Sequence, residues 1–150
     1  AECFEWFCSN RSELESRWLC LRKKLLDSLE NVEHCFVLGT PEESLPNTLN
    51  LGFQGISAES LLICLDLDGI AVSSGSACSS GAMEASHVLL AMGYSHEQAK
   101  SSLRISMGWN TSEEDIEELS RQLIHHVKRL TPISGKSDSN NQIPEPVTEI

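Results

Sequence analysis

Apolar residues recur at steps of three and four from Ser12 to Asn31, where Leu14, Trp18, Leu21, Leu25 and Leu29 lead on to Val32. That spacing draws one stripe down a cylinder and predicts a long amphipathic helix. Arg17, Arg22, Lys23 and Lys24 fall largely off the stripe and read as a solvated basic face. The period then shortens. Cys35-Phe-Val-Leu is β-prone and closed by Gly39, and a polar connection runs from Pro41 to Pro46. Leu49, Leu51 and Phe53 then alternate with Thr48, Asn50, Gly52 and Gln54, the mark of a half-buried strand. Ser57 caps a second helix, apolar nearly all round from Leu61 through Cys64 to Leu67 and so expected to be the most buried one; Asp66, Asp68 and Gly69 end it.

Ile70-Ala71-Val72 predicts a short strand, and Ser73 to Gly81 follows it with glycines, serines and one alanine around Cys78. Side chains that small pack nothing, so the stretch reads either as a plain flexible linker or as a loop that exposes and moves a thiol. Met83 to Met92 returns to helical spacing, with Gly93 as a stop, and Ser95-His-Glu-Gln98 has the form of a capping box. Leu103, Ile105 and Met107 alternate with Arg104 and Ser106, which sends Arg104 to the face away from the core; from the pattern alone it is a surface arginine. Thr111-Ser-Glu-Glu-Asp-Ile opens the last helix, acids first, and Ile116, Leu119, Leu123, Ile124, Val127 and Leu130 form its stripe. His125 and His126, late in that helix, read as structural. Asp66 and Asp68, two apart, share no helical face and receive no acid–base role. Met83, Met92 and Met107 read as core filler.

These elements predict a two-layer α/β domain, a short, mainly antiparallel sheet of three or four strands covered by helices. Ile133 to Ile150, rich in Ser, Asn, Pro and Glu, is expected to be a disordered tail, which leaves 1–132 as the domain. A net charge of −11 argues against nucleic acid or an anionic membrane surface as partner and fits a basic protein partner or plain solubility. The longest apolar run, Leu61 to Leu65, is far too short to span a membrane. Six cysteines without a Cys-x-x-Cys pair make a zinc site an unlikely expectation, favour a reducing compartment (cytoplasm, or an organelle matrix), and read mostly as small hydrophobes, Cys64 above all. Ala1 to Cys8 resembles neither a signal nor a transit peptide and reads as an internal cut.

The run Gly69-Ile-Ala-Val-Ser-Ser-Gly-Ser-Ala-Cys-Ser-Ser-Gly-Ala-Met-Glu-Ala-Ser-His-Val-Leu closely resembles the cysteine desulfurases, pyridoxal-phosphate enzymes of the class-V aminotransferase group. Leu45-Pro46-Asn47-Thr48-Leu49-Asn50 and Ser102-Leu-Arg104-Ile-Ser-Met-Gly108 match the same family. The resemblance implies that Cys78 takes sulfur from L-cysteine as a persulfide, leaving alanine. It also implies that Arg104 clamps the substrate carboxylate and that Asn47 belongs to substrate binding, although turn and edge hydrogen bonding accounts for Asn47 as well. The sulfur would go to an acceptor such as an iron–sulfur scaffold protein.

Two departures qualify the likeness. Trp109-Asn110 stands where the family commonly has a basic residue and an aromatic, and none of the five lysines sits in the Ser-x-His-Lys context of the family's cofactor lysine. The expectation is therefore the C-terminal small domain of a fold-type-I enzyme, a homodimer at full length, whose separate large domain holds pyridoxal phosphate; this chain alone would bind none and be inactive. The alternative is a stand-alone sulfur carrier or interaction module.

Overall fold

A computed structural model describes residues 2–40, 43–74 and 85–131. Cys78, Met83, Lys136 and the expected tail lie outside them. Helix α1 spans Glu2–Leu29, followed by β1 (Cys35–Leu38), β2 (Thr48–Phe53), α2 (Ala58–Leu67), β3 (Ser73–Ser74), α3 (His87–Ala91), α4 (His96–Lys100), β4 (Ser102–Ser106) and α5 (Glu113–Leu130). The four described strands form one antiparallel sheet in the order β1-β2-β4-β3. β4, last in sequence, lies inside.

Alternation decides what each face of the sheet meets. Leu49, Leu51 and Phe53 of β2 and Leu103 and Ile105 of β4 point to one side, where they join Leu21 and Leu25 of α1, Leu61 and Leu65 of α2 and Leu123 of α5 in one buried cluster. Burying each such side chain contributes about 2 kcal/mol relative to leaving it in water. On the other face Phe36 and Leu38 pack with Leu89, Ala99 and Tyr94 of the α3–α4 segment in a smaller cluster. Gly52 has a specific reason to be glycine: an added Cβ would stand 2.3 Å from Phe36 Cζ, so the ring lies on the strand where a side chain would be.

Caps fall where the polar punctuation puts them. Ser57, Ser95 and Ser112 each accept from a backbone N–H of the helix that follows, and Ser95–Gln98 and Ser112–Asp115 form complete capping boxes; Ser86, expected inside a helix from Met83 to Met92, is instead the N-cap of α3, its hydroxyl taking the Leu89 N–H so that the helix begins only at His87.

Several expectations are corrected. α1 begins at Glu2, not Ser12. The buried stripe starts only at Leu14, but no glycine or proline interrupts residues 2 to 29, so the helix continues where packing does not require it. α2 is not the most buried helix. Its face at Ala58, Leu61 and Leu65 meets sheet and α5, while Ile63 and Leu67 are 52% and 81% exposed, and Cys64 is only half-buried. Cys3, Cys8 and Cys20 are exposed, against the expectation of small buried hydrophobes, whereas half-buried Cys35 does pack against the main core. The expected strand at Ile70–Val72 falls instead at Ser73–Ser74; Ile70 and Val72 pack against the main core, and the ladder starts where the chain meets Arg104. Met92 is 48% exposed, while Met107 is buried as expected.

The basic face of α1 is not simply solvated. Arg22 is buried and donates to the Leu45 carbonyl at 3.2 Å, Arg17 donates to the carbonyls of Trp109 and Thr111, and Lys24 meets both Glu113 and Glu117. With Trp18 Nε1 donating to Gly108 O at 2.9 Å, these bonds bracket the chain where it enters β2 and where it leaves β4.

Candidate functional site

Arg104 sits mid-strand in β4 with Leu103 and Ile105 turned into the core on either side, so its side chain leaves by the opposite face and is exposed. Its Cα partners are Asn50 on β2 and Ser73 on β3. Directly opposed residues of an antiparallel ladder point to the same side, so all three share that face. There a cleft of about 370 Å³ is lined by Arg104, Asn50 and Glu43 together with Ser86, Val88 and Met92 from the start of α3 and its end.

Guanidinium bonding sets Arg104 apart. Arg11 pairs with Glu15, Arg17 and Arg22 hold backbone carbonyls, Arg121 pairs with Glu118, and Arg129 donates to Cys64 Sγ at 3.0 Å. Among the described residues Arg104 has no side-chain partner of this kind. A planar fork of donors left unspent in a cleft is suited to receive a carboxylate in bidentate fashion.

The segment carrying Cys78 starts and ends beside this cleft. Ser73, five residues before the thiol, is across the ladder from Arg104, and Ser86, eight after it, lines the cleft wall. The approach to Ser73 is fixed. Asp68 caps α2, Gly69 turns the chain with φ +79°, Ile70 N–H donates to Leu65 O at 2.8 Å, and the Asp68 carboxylate lies 2.6 Å from Nε2 of buried His126 on α5. His126 is thus structural, held by an aspartate rather than by its position near a helix end.

Asn47 lies elsewhere. One step out of register with Thr48 and Asn50, it turns toward Met107; its backbone carbonyl accepts from Met107 N–H at 2.8 Å, and its side-chain amide faces the Met107 carbonyl at 3.5 Å. It lines a separate aromatic cleft with Trp6, Trp18 and Trp109, so Arg104 and Asn47 are not brought together. Sequence reasoning missed Asn50 and Glu43 as wall residues. Asn50 carries a usable signal, being a polar outward position of an alternating strand like Arg104; Glu43 carries none.

Nucleophile and cofactor chemistry can be weighed on the same side chains. Burial pushes the Cys35 thiol up to about 11, so it is no thiolate at neutral pH. Among the described residues no lysine lines the Arg104 cleft. Lys24 is held cationic, raised by hydrogen bonds first from Glu113 and then from Glu117, and Lys23 likewise by Asp27. A Schiff-base lysine needs the reverse, a lowered pKa in a desolvated place, so neither Lys23 nor Lys24 fits the cofactor lysine of pyridoxal phosphate. Among the described residues no group of His, Cys, Asp and Glu could hold a metal ion, and no helix is long and apolar enough to cross a membrane.

Comparison with known proteins matches residues 2–119 to the family model described as aminotransferase class-V. The chain is 39% identical over 114 residues to cysteine desulfurase IscS 1 of Archaeoglobus fulgidus, covering 76% of this chain and 30% of that protein. It is 40% identical over 127 residues to cysteine desulfurase NifS of Azotobacter vinelandii, covering 84% and 32%. Among solved structures it resembles a NifS-like protein from Rickettsia africae with a TM-score of 0.69 at 30% identity, over 81% of this chain and 31% of that one. The chain spans about a third of the length of the curated relatives it matches.

Proposed function

The chain belongs to the class-V aminotransferase family, and on that footing we propose that it is the small, sulfur-accepting domain of a cysteine desulfurase. The observation that carries this reading is the unspent guanidinium of Arg104, in a cleft flanked by both ends of the segment that holds Cys78. Arg104 anchors the carboxylate of L-cysteine by a charge-assisted fork. Cys78 receives the sulfur: its thiolate attacks the substrate Sγ, the new S–S bond forms as the Cβ–Sγ bond breaks, and the electron pair left on Cβ takes up a proton to give alanine. Reach supports this division of labour. Four residues beyond Ser74 extend at most about 14 Å, enough to bring a thiol from the β3 edge over the neighbouring strand.

Breaking a carbon–sulfur bond needs an electron sink, which the described residues do not hold. Pyridoxal phosphate and its lysine belong, in this proposal, to a large domain of the longer enzyme, which acts as a homodimer and passes sulfur to an acceptor such as an iron–sulfur scaffold. Asn47, outside the Arg104 cleft, is given the strand-end bonds rather than the substrate.

The test uses the enzyme that contains this chain with its cofactor. Cys78→Ala abolishes persulfide on the protein and sulfide release while cofactor absorbance survives; Arg104→Gln raises KM for L-cysteine at least tenfold, about 1.4 kcal/mol of lost binding, and Asn47→Ala leaves it within about twofold. Full activity in Cys78→Ala overturns the acceptor role. The second reading is a stand-alone sulfur carrier. It requires that the chain alone, without cofactor, take up sulfur on Cys78 from another enzyme's persulfide.

A further inference from the structure

Three features that cost stability meet in one contact at the end of α2. Asp68 puts a carboxylate at the negative end of a helix whose last turn holds no basic residue. His126 places an imidazole in the interior, and its Nδ1 is buried with no hydrogen-bond partner among the described residues. Neither side chain is needed to make the turn. Gly69 N–H donates to Asp66 O at 2.9 Å and Ile70 N–H to Leu65 O at 2.8 Å, so backbone bonds alone close α2. What the 2.6 Å contact of Asp68 with His126 adds is a tie from that turn to α5. Locally unfavourable residues that satisfy one another are expected where a protein holds a working part in place. Beyond the tie, Ile70 and Val72 pack on the main core, Ser73 and Ser74 pair with β4, and Cys78 follows four residues later. We propose that His126, through Asp68, is a positioning residue for sulfur transfer to Cys78: it fixes the place at which the chain enters β3, and with it the point from which the thiol-bearing segment starts. This rests on the acceptor role of Cys78 argued above. His126 does not line the Arg104 cleft, so it acts on position and not on the substrate.

The experiment uses the enzyme that contains this chain, with its cofactor, and two variants of His126. His126→Leu fills the space without the donor, and His126→Gln returns an amide N–H to Asp68. The Asp68 side chain is 31% exposed and stays hydrated when its partner is lost, and leucine removes the unpartnered Nδ1, so His126→Leu keeps the wild-type melting temperature within about 4 °C. Its single-turnover rate of persulfide formation on Cys78 falls at least about tenfold, the scale of a misplaced reacting group, while KM for L-cysteine stays within about twofold. Hydrogen–deuterium exchange across residues 69–74 speeds up about tenfold in the same variant. His126→Gln restores both the rate and the protection. An unchanged transfer rate in His126→Leu overturns the inference, as does a loss that His126→Gln shares or one that appears in KM instead. Full activity in Cys78→Ala overturns the acceptor role beneath it, a result distinct from all of these.

Discussion

His126 of α5 meets Asp68 at the end of α2, Nε2 to Oδ2 at 2.6 Å, and its other ring nitrogen is buried with no hydrogen-bond partner among the described residues. The short contact to an aspartate marks Nε2 as the ring nitrogen that donates to it. His126→Ala removes the donor and leaves a cavity beside a half-exposed carboxylate, an expected loss of about 2–3 kcal/mol. Thermal melts of His126→Ala and Asp68→Ala test it, and the double variant costs less than the two losses added.

Gly52→Ala places a Cβ against the Phe36 ring, whose atoms already stand 2.3 to 2.9 Å from that position. The strand is held by two neighbours, so the ring must move. The expected cost is about 1–3 kcal/mol. Adding Phe36→Leu restores part of it, and a denaturant midpoint for each of the three proteins measures the coupling.

Thiol reactivity separates the cysteines. Cys3, Cys8 and Cys20 are exposed and alkylate readily at pH 8, whereas Cys35, raised to about 11 by burial, stays protected until the pH approaches that value. The linkage has a definite sign: a group whose neutral form is favoured in the fold contributes stability that is complete below the unfolded thiol's ordinary value and is lost as pH climbs toward 11. Cys35→Val therefore flattens the alkaline decline in melting temperature between about pH 9 and 11. Mass spectrometry of alkylated peptides follows the first claim.

Asp115 is lowered by the Ser112 backbone N–H and then by the Ser112 hydroxyl. Its cap is present above the ordinary carboxylate value and disappears as pH falls through the depressed one, so Asp115→Asn mimics acid at neutral pH. Circular dichroism during acid titration should show the wild type starting with more helix than Asp115→Asn at neutral pH and converging on it as the cap is protonated, with a smaller change in the variant.

Incubation of this chain with pyridoxal phosphate is expected to leave no stoichiometric visible band after dialysis. Lys24 and Lys23 are ion-paired cations, and no described lysine lines the Arg104 cleft. A band that vanishes on replacing one lysine would overturn this.

The alternating strands were legible because burial on one face writes itself into every second residue: Leu49, Leu51, Phe53 and Leu103, Ile105, Met107 are all buried, and Arg104 faces away as expected. The caps at Ser57, Ser95 and Ser112 were equally readable, since a serine ahead of a helix has a local task, but the apolar spacing from Met83 hid the one at Ser86. What failed was anything fixed by a distant partner. The apolar count of α2 cannot say which of its sides will be covered, and Ile63 and Leu67 are not. Two serines have no β propensity to announce β3; only their pairing with Arg104 and Leu103 makes them a strand. The cleft depends on register between segments far apart in sequence, so Glu43 and Asn50 join Arg104 only in three dimensions.

The position of β4 between β2 and β3 orders the events of folding. The β1–β2 hairpin can close early from local contacts, but its inner edge has no neighbour until residues 102–106 have been synthesised and inserted. Pairings of such separation are the slow ones. Arg104 arrives on that strand, and its insertion brings Asn50 and Ser73 to either side in the same step. Completion of the sheet and assembly of the cleft are therefore one kinetic event, and a nascent chain that stops before β4 has neither.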